Sequence, residues 1–151
     1  MHFICNFVIV MTINTLTAEN QMKKDITNRA DVEFLIDSFY NTVQKDATIG
    51  YFFNDIAQID WNTHLLQMYN FWESIIFAKK VYTGNPMRKH LELAKKSPLK
   101  SEHFEHWIKL FYQTIDALFS GINAERTKTY AQTIRENLEL RTSNSDNMLA
   151  F

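Results

Sequence analysis

The scarcity of chain-breaking residues is the feature that most limits what this chain can fold into. Its 151 residues contain three glycines and two prolines, so long stretches carry nothing that ends a helix. Within those stretches, apolar side chains recur every three to four residues, as on one face of an α-helix. The first stretch places Leu35, Ile36, Phe39 and Tyr40 on such a face. We therefore predict an all-α fold.

Helix-capping and helix-breaking residues divide this pattern into five predicted helices. Asp31 is the predicted N-cap of the first helix and Asp60 that of the second, while Asn85 and Pro86 form a cap and first-position pair for a short third helix. The predicted stretches run from Asp31 to Gly50, from Asp60 to Thr83, from Asn85 to Ser97, from Ser101 to Gly121 and from about Asn123 to Leu140. Residues 51–53 are expected to form a tight connection.

The chain is predicted to contain one domain, at residues 22–140, between two segments of different character. Residues 1–21 include an apolar run that is too short to span a bilayer and lacks a basic start, so they are expected to be a disordered extension or a misplaced start. Met22 resembles the beginning of a soluble chain. The polar residues 141–151 are expected to form a flexible tail.

Charge and cysteine content exclude several classes of protein. The net charge is −1 and no long basic run is present, which argues against nucleic acid or an anionic membrane as a partner. Cys5 is the single cysteine, so neither an internal disulfide framework nor a cysteine-rich zinc site is possible. Covalent haem attachment through Cys-x-x-Cys-His is excluded for the same reason.

Two histidines on different predicted helices suggest a haem site. His90 lies on the short proline-started helix, and His64 lies on the long helix before it. Two imidazoles on opposite walls of an aromatic helical pocket could hold a haem and control the far side of its iron. A lone helical histidine is nevertheless more often a surface or core residue. Arg88 and Lys89 beside His90 could meet haem propionates, or could equally be solvated charges.

Three polar side chains interrupt otherwise apolar helix faces. His64 shares a face with Met68 and Trp72, and a buried imidazole needs a hydrogen-bond partner. Tyr40 and Trp107, on two other helices, likewise need partners if they are buried. All three could converge on one polar ligand. A rival metal site at His103 and His106 is less favoured, because histidines three apart are common by chance.

Taken together, these residues resemble the group III truncated haemoglobins over about residues 24–136. The similarity rests on the order and spacing of Phe39-Tyr40, Gly50-Tyr51-Phe52-Phe53, Asp60-Trp61-Asn62-Thr63-His64, Phe71-Trp72-Glu73, Tyr82-Thr83-Gly84-Asn85-Pro86-Met87, His90-Leu91 and Glu102-His103-Phe104 leading to Trp107. Groups I and II typically carry Gly-Gly pairs at two helix junctions, and this chain contains none.

The resemblance implies a truncated globin fold, a two-over-two helical sandwich around non-covalently bound haem b. It implies that His90 is the proximal iron ligand and that Tyr40, His64 and Trp107 form the distal, ligand-stabilising side. Phe53 matches the aromatic residue that packs on the porphyrin. The residues that match the haem-pocket walls are Met68, Phe71, Trp72, Tyr82 and Met87.

The expected function is therefore reversible binding of dioxygen and other diatomic gases at an open sixth iron position. Peroxidase-like or nitric oxide dioxygenase activity is the alternative, and either would need a separate reductase because the chain has no flavin or nicotinamide motif. We also expect a role in oxygen transport, a cytoplasmic location, no membrane partner and a monomeric state. A haem-free helical interaction domain is the competing class. It would leave Tyr40, His64 and Trp107 without a shared acceptor.

Overall fold

A computed structural model describes residues 22–148 of the chain, with side chains as far as residue 143. The segment 1–21, predicted as an extension or misplaced start, lies outside the described residues, and the division of the chain into three parts stays a prediction. The described part contains five α-helices and one π-helix, and no strand. The elements are α1 (Arg29–Val43), the π-helix (Phe52–Ile56), α2 (Trp61–Phe77), α3 (Pro86–Lys96), α4 (Ser101–Leu118) and α5 (Ile122–Met148). The prediction of an all-α fold is confirmed.

The N-terminus of α1 differs from the prediction. Asn28, not Asp31, is the N-cap, and its side-chain oxygen accepts the Asp31 backbone N–H at 3.1 Å. Asp31 lies in the first turn, where it is buried and accepts both the backbone N–H and the hydroxyl of Thr27, each at 2.9 Å. Both residue types favour helix starts, so the sequence pattern alone did not separate them.

The helix α1 also ends earlier than predicted, at Val43 instead of Gly50. Asp46 redirects the chain, because its carboxylate accepts the backbone N–H groups of Thr48 at 2.8 Å and Ile49 at 3.0 Å. Gly50 then passes so close to α1 that a Cβ there would lie 2.8 Å from the Val43 carbonyl oxygen. The expected tight connection is a π-helix, a form often found at functional sites.

The other helix boundaries agree better with the sequence. Asp60, Asn85 and Pro86 occupy the predicted cap and first positions of α2 and α3, and the Asn85 side chain accepts the Arg88 N–H at 3.0 Å. The predicted end of the last helix at Leu140 is wrong, because α5 continues to Met148. Thr142 is buried within this continuation.

Each of the five α-helices packs against at least one other helix. The first helix α1 contacts α2 and α4, α4 contacts α5, and α5 contacts α2 and α3. Fully buried Leu35, Ile36 and Phe39 of α1 meet Phe111 and Ile115 of α4 in the core. This core holds α1 and α4 together and leaves room between α2, α3 and α5. No helix in residues 22–148 is long and apolar enough to cross a bilayer.

Candidate cofactor site

A cavity of about 460 Å³ lies among the helices and receives side chains from all six elements. Its volume falls within the range of roughly 300–1,000 Å³ that is usual for ligand and cofactor pockets. Tyr40, Phe53, His64, Met68, Phe71, Trp72, Tyr82, His90 and Trp107 all line it. Met87, which was also predicted in the wall, is half-buried on α3 but does not line the cavity.

One ring nitrogen of His90 is engaged by the backbone and the other is not. Its Nδ1 lies 2.8 Å from the backbone carbonyl oxygen of Pro86, one turn earlier on α3. A carbonyl oxygen can only accept, so Nδ1 carries the proton and Nε2 keeps its lone pair. Burial lowers the pKa of His90, although the Pro86 hydrogen bond opposes this shift. The ring is therefore held neutral and in the tautomer that a metal requires.

The His64 imidazole lines the same cavity from α2. Its Nε2 is buried and has no hydrogen-bond partner among the described residues. Burial, with a smaller contribution from the charge of His90, lowers the pKa of His64 to about 4. A neutral histidine with an unpartnered buried nitrogen indicates that a polar group from outside the chain belongs in the cavity.

The Tyr40 phenol lies beside His64 at the end of α1. The two ring centroids are 5.1 Å apart with their planes nearly perpendicular. Phe53 and Trp61 complete an aromatic cluster, each with its ring centroid 5.8 Å from that of Tyr40. Burial raises the pKa of Tyr40, so its hydroxyl stays protonated and can donate. It forms no hydrogen bond with another described residue.

The Trp107 indole approaches the cavity from α4. Its ring stacks on Phe111 at 5.4 Å and meets Phe39 edge-on at 5.8 Å. Phe39 also contacts Tyr40 at 5.0 Å, so one core ring positions both polar aromatics. The indole N–H likewise has no partner among residues 22–148. The three polar side chains predicted for the distal side therefore share one cavity.

His103 and His106, the rival candidate metal ligands, each form other contacts. The Nε2 of His106 lies 2.7 Å from Asp46 Oδ2, which ties α4 to the turn after α1. The Nδ1 of His103 accepts the Lys100 backbone N–H at 3.0 Å, and its ring packs on Phe52 at 4.8 Å. His103 lines the cavity, whereas His106 does not.

Sequence reasoning missed several further lining residues. The apolar ones are Ile49, Phe52, Leu93, Leu99, Phe104, Ile134 and Leu138, and the charged ones are Asp60, Lys89, Glu92, Lys96 and Arg135. Among the basic residues next to His90, Lys89 lines the cavity, whereas Arg88 lies 3.7 Å from Glu92 in an ion pair. Leu93, Phe104, Ile134 and Leu138 lie on predicted helices, so periodicity could have identified them. Ile49 and Leu99 lie between helices, and nothing in the sequence marks Arg135.

A helical sandwich that encloses an aromatic cavity, with a buried histidine on one wall and polar side chains on another, resembles the architecture of a globin. No protein-family model matches the sequence. The group 3 truncated hemoglobin ctb of Campylobacter jejuni is 31% identical to this chain over 102 residues, which are 66% of this chain and 78% of that protein. The chain belongs to the group III truncated haemoglobins.

A solved structure supports the same relationship. The crystal structure of the group III truncated hemoglobin from Campylobacter jejuni matches with a TM-score of 0.70 and 29% sequence identity. The match covers 80% of this chain and 95% of that one. The prediction of a truncated globin fold is thereby confirmed.

Proposed function

We propose that this chain binds haem b non-covalently and uses it to bind dioxygen and other diatomic gases reversibly. The hydrogen bond from His90 Nδ1 to the Pro86 carbonyl carries this proposal, because it leaves Nε2 unprotonated on a cavity wall. Membership of the truncated haemoglobins supports haem as the cofactor. The predictions of a cytoplasmic location, a monomeric state and a role in oxygen transport are part of the same proposal.

The chemistry of the cavity fits a haem group. Phe53, Met68, Phe71 and Trp72 line the cavity and would supply apolar surface for a porphyrin, and His90 would supply a nitrogen ligand for its iron. The buried Nε2 of His64, which has no partner among the described residues, supports a polar occupant in the cavity as well. A haem with a polar ligand would fill the apolar cavity and would also provide a hydrogen-bond partner for His64 Nε2.

The iron of a bound haem would supply reversible coordination of a diatomic gas. The protein side chains determine which gas is held and for how long. His90 stays neutral because burial lowers its pKa, so its lone pair remains available near neutral pH. Tyr40 and Trp107 can each donate one hydrogen bond to a polar ligand, and His64 can turn either nitrogen inward.

The alternative is a peroxidase-like or nitric oxide dioxygenase activity with an external reductant. The observation that favours it is the protonated hydroxyl of Tyr40, which faces a cavity shared with His64 and Trp107. Polar donors of this kind can polarise an O–O bond as well as retain a dioxygen molecule. Turnover of hydrogen peroxide, compared with consumption of nitric oxide in the presence of dioxygen, separates these activities from simple binding.

Reconstitution with haemin tests the proposal. Purified protein titrated with one equivalent of haemin should give a sharp Soret band, and the reduced form should bind carbon monoxide and dioxygen reversibly. A matched titration of His90→Ala controls for non-specific haemin adsorption on apolar surface. If wild type and His90→Ala gave the same broad spectrum of free haemin, the haem proposal would fail.

A further inference from the structure

Arg135 is a cation of the cavity wall that has no role in the site described so far. It lies on α5, lines the cavity and has a side chain that is 17% exposed. One terminal nitrogen, Nη2, lies 3.0 Å from Glu139 Oε2 and 3.8 Å from Glu105 Oε1. The Nε atom is buried and has no hydrogen-bond partner among the described residues.

An unpartnered Nε–H calls for an acceptor from outside the chain. Buried N–H groups without an acceptor are rare, and a guanidinium cannot remove the problem by losing its proton. His64 and Arg135 contribute the two buried side-chain polar atoms without partners in residues 22–143, and both residues line this cavity. The missing acceptor of Arg135 is therefore best sought in what the cavity binds.

The chemistry of Arg135 selects the kind of acceptor. Its Nη2 side is already engaged by Glu139, whose other oxygen accepts the Ser101 hydroxyl and is held in place by it. The guanidinium is thus fixed in orientation, with its Nε–H left for another group. A charged N–H donor matches a carboxylate best, since a charge-assisted hydrogen bond is stronger than a neutral one. Lys96, on the same cavity, adds positive charge.

We propose that the Nε–H of Arg135 donates a hydrogen bond to a carboxylate of the porphyrin and so anchors the cofactor to the last helix, α5. This inference rests on the proposed function, since it assigns one wall of the haem site. Glu139 and Ser101 are positioning residues in this arrangement, because they act on the cofactor only through Arg135.

Two porphyrins that differ only in their carboxylates test the inference without iron chemistry. Full-length apoprotein is titrated with protoporphyrin IX and with its dimethyl ester, and binding is followed by porphyrin fluorescence. Arg135→Met should weaken protoporphyrin binding about tenfold or more, the loss expected for a charge-assisted hydrogen bond. Binding of the ester, which has no charged oxygen to offer, should change less than about twofold. Arg141→Met, an exposed arginine on the same helix, should leave both affinities unchanged.

The possible outcomes separate the two proposals. If wild type binds neither porphyrin, the proposed haem function fails. If wild type binds protoporphyrin but Arg135→Met binds it equally well, the Nε–H is satisfied by water and the anchor is wrong. An equal loss of both porphyrins would show a structural role only and would also overturn the anchor. Should Arg135→Met fail to fold, Arg135→Gln, which keeps a neutral donor, must show the same selective loss.

Discussion

Three titratable side chains of the cavity, His90, His64 and Tyr40, are neutral near neutral pH. His90 and His64 are both held uncharged by burial, and Tyr40 keeps its proton for the same reason. The cavity therefore offers one lone pair on one wall and several neutral donors on another. Neutral donors retain a polar ligand without the cost of burying an unpaired charge.

Tyr40 and Trp107 are expected to control the release of dioxygen. Removing either donor with Tyr40→Phe or Trp107→Phe deprives a partly charged ligand of a hydrogen bond worth roughly 1.5–3 kcal/mol. Dioxygen release should then accelerate by about one to two orders of magnitude. Stopped-flow measurements of gas release from the reconstituted protein check this.

Carbon monoxide is the internal control for these two variants. It is much less polar when bound, so its release should change far less than that of dioxygen. A non-additive effect in the double variant would show that the two donors share one network. If both single variants released dioxygen at the wild-type rate, Tyr40 and Trp107 would be ordinary core aromatics with no role in retaining the ligand.

The sequence predicted the polar site residues better than their surroundings. Tyr40, His64 and Trp107 stood out because each places a polar group on an otherwise apolar helix face. Arg135 did not, because it sits among other charged residues of α5, and its unpartnered Nε is visible only once Glu139 occupies the other side. Met87 lies on α3 with His90 but does not line the cavity, which spacing alone did not reveal.

At the level of elements, the sequence predicted the N-caps of α2 and α3 but not that of α1. Asn85 and Pro86 start α3 as predicted, since both act on adjacent backbone. The early end of α1 could not be predicted from the sequence pattern. It depends on the turn at Asp46 and on the close approach of Gly50 to the Val43 carbonyl.

The start of α5 depends on a residue from the other end of the described chain. Asp25 accepts the backbone N–H groups of Asn123 and Ala124, both at 2.9 Å. Asp25→Ala should lower the free energy of unfolding by about 1–2 kcal/mol, because two N–H groups at a helix N-terminus lose their acceptor. Urea unfolding followed by circular dichroism measures the change.

An exposed aspartate provides the control for this cap. Asp55→Ala removes the same group from a side chain with no hydrogen bond to another described residue, so it should change stability by less than about 0.5 kcal/mol. Equal stability of the Asp25 and Asp55 variants would show that the long-range cap contributes nothing.

The turn after α1 should make stability depend on acid pH. Burial alone would raise the pKa of Asp46, but hydrogen bonds from His106, Ile49 and Thr48 outweigh it and lower the pKa below its ordinary value. Because the folded pKa lies below the unfolded value of about 3.9, this contribution is present above about pH 4. It is lost as the pH falls through the folded pKa.

Comparison of wild type with Asp46→Asn isolates that contribution. Asparagine keeps the shape of the side chain but does not titrate, so the stability difference between the two proteins should be large at pH 7 and should shrink toward pH 3. Urea unfolding of both proteins across this range gives the difference directly. A difference that stays constant with pH would contradict the assignment of the carboxylate as the stabilising form.

At the scale of the whole molecule, the described residues 22–148 supply the cavity lining from all six helical elements. Lys24 already takes part in the fold, since its backbone carbonyl accepts the Ser120 N–H at 3.1 Å. We therefore predict that a chain starting at Met22 folds, stays soluble and takes up haem as the full chain does. Haemin titration and thermal unfolding of both chains test this, and aggregation or haem loss in the short chain would contradict it. A chain starting at Ile26 should be less stable, because it lacks Asp25.

We propose that His90 is the single protein ligand of the haem iron and that the sixth coordination position stays open for a gas. The absorption spectra of the reduced, reconstituted His90→Ala and His64→Ala proteins test it most directly. We expect His64→Ala to keep a native-like five-coordinate spectrum and His90→Ala to lose stable haem binding. Equal haem loss in both variants, or a native-like five-coordinate spectrum in His90→Ala, would contradict it.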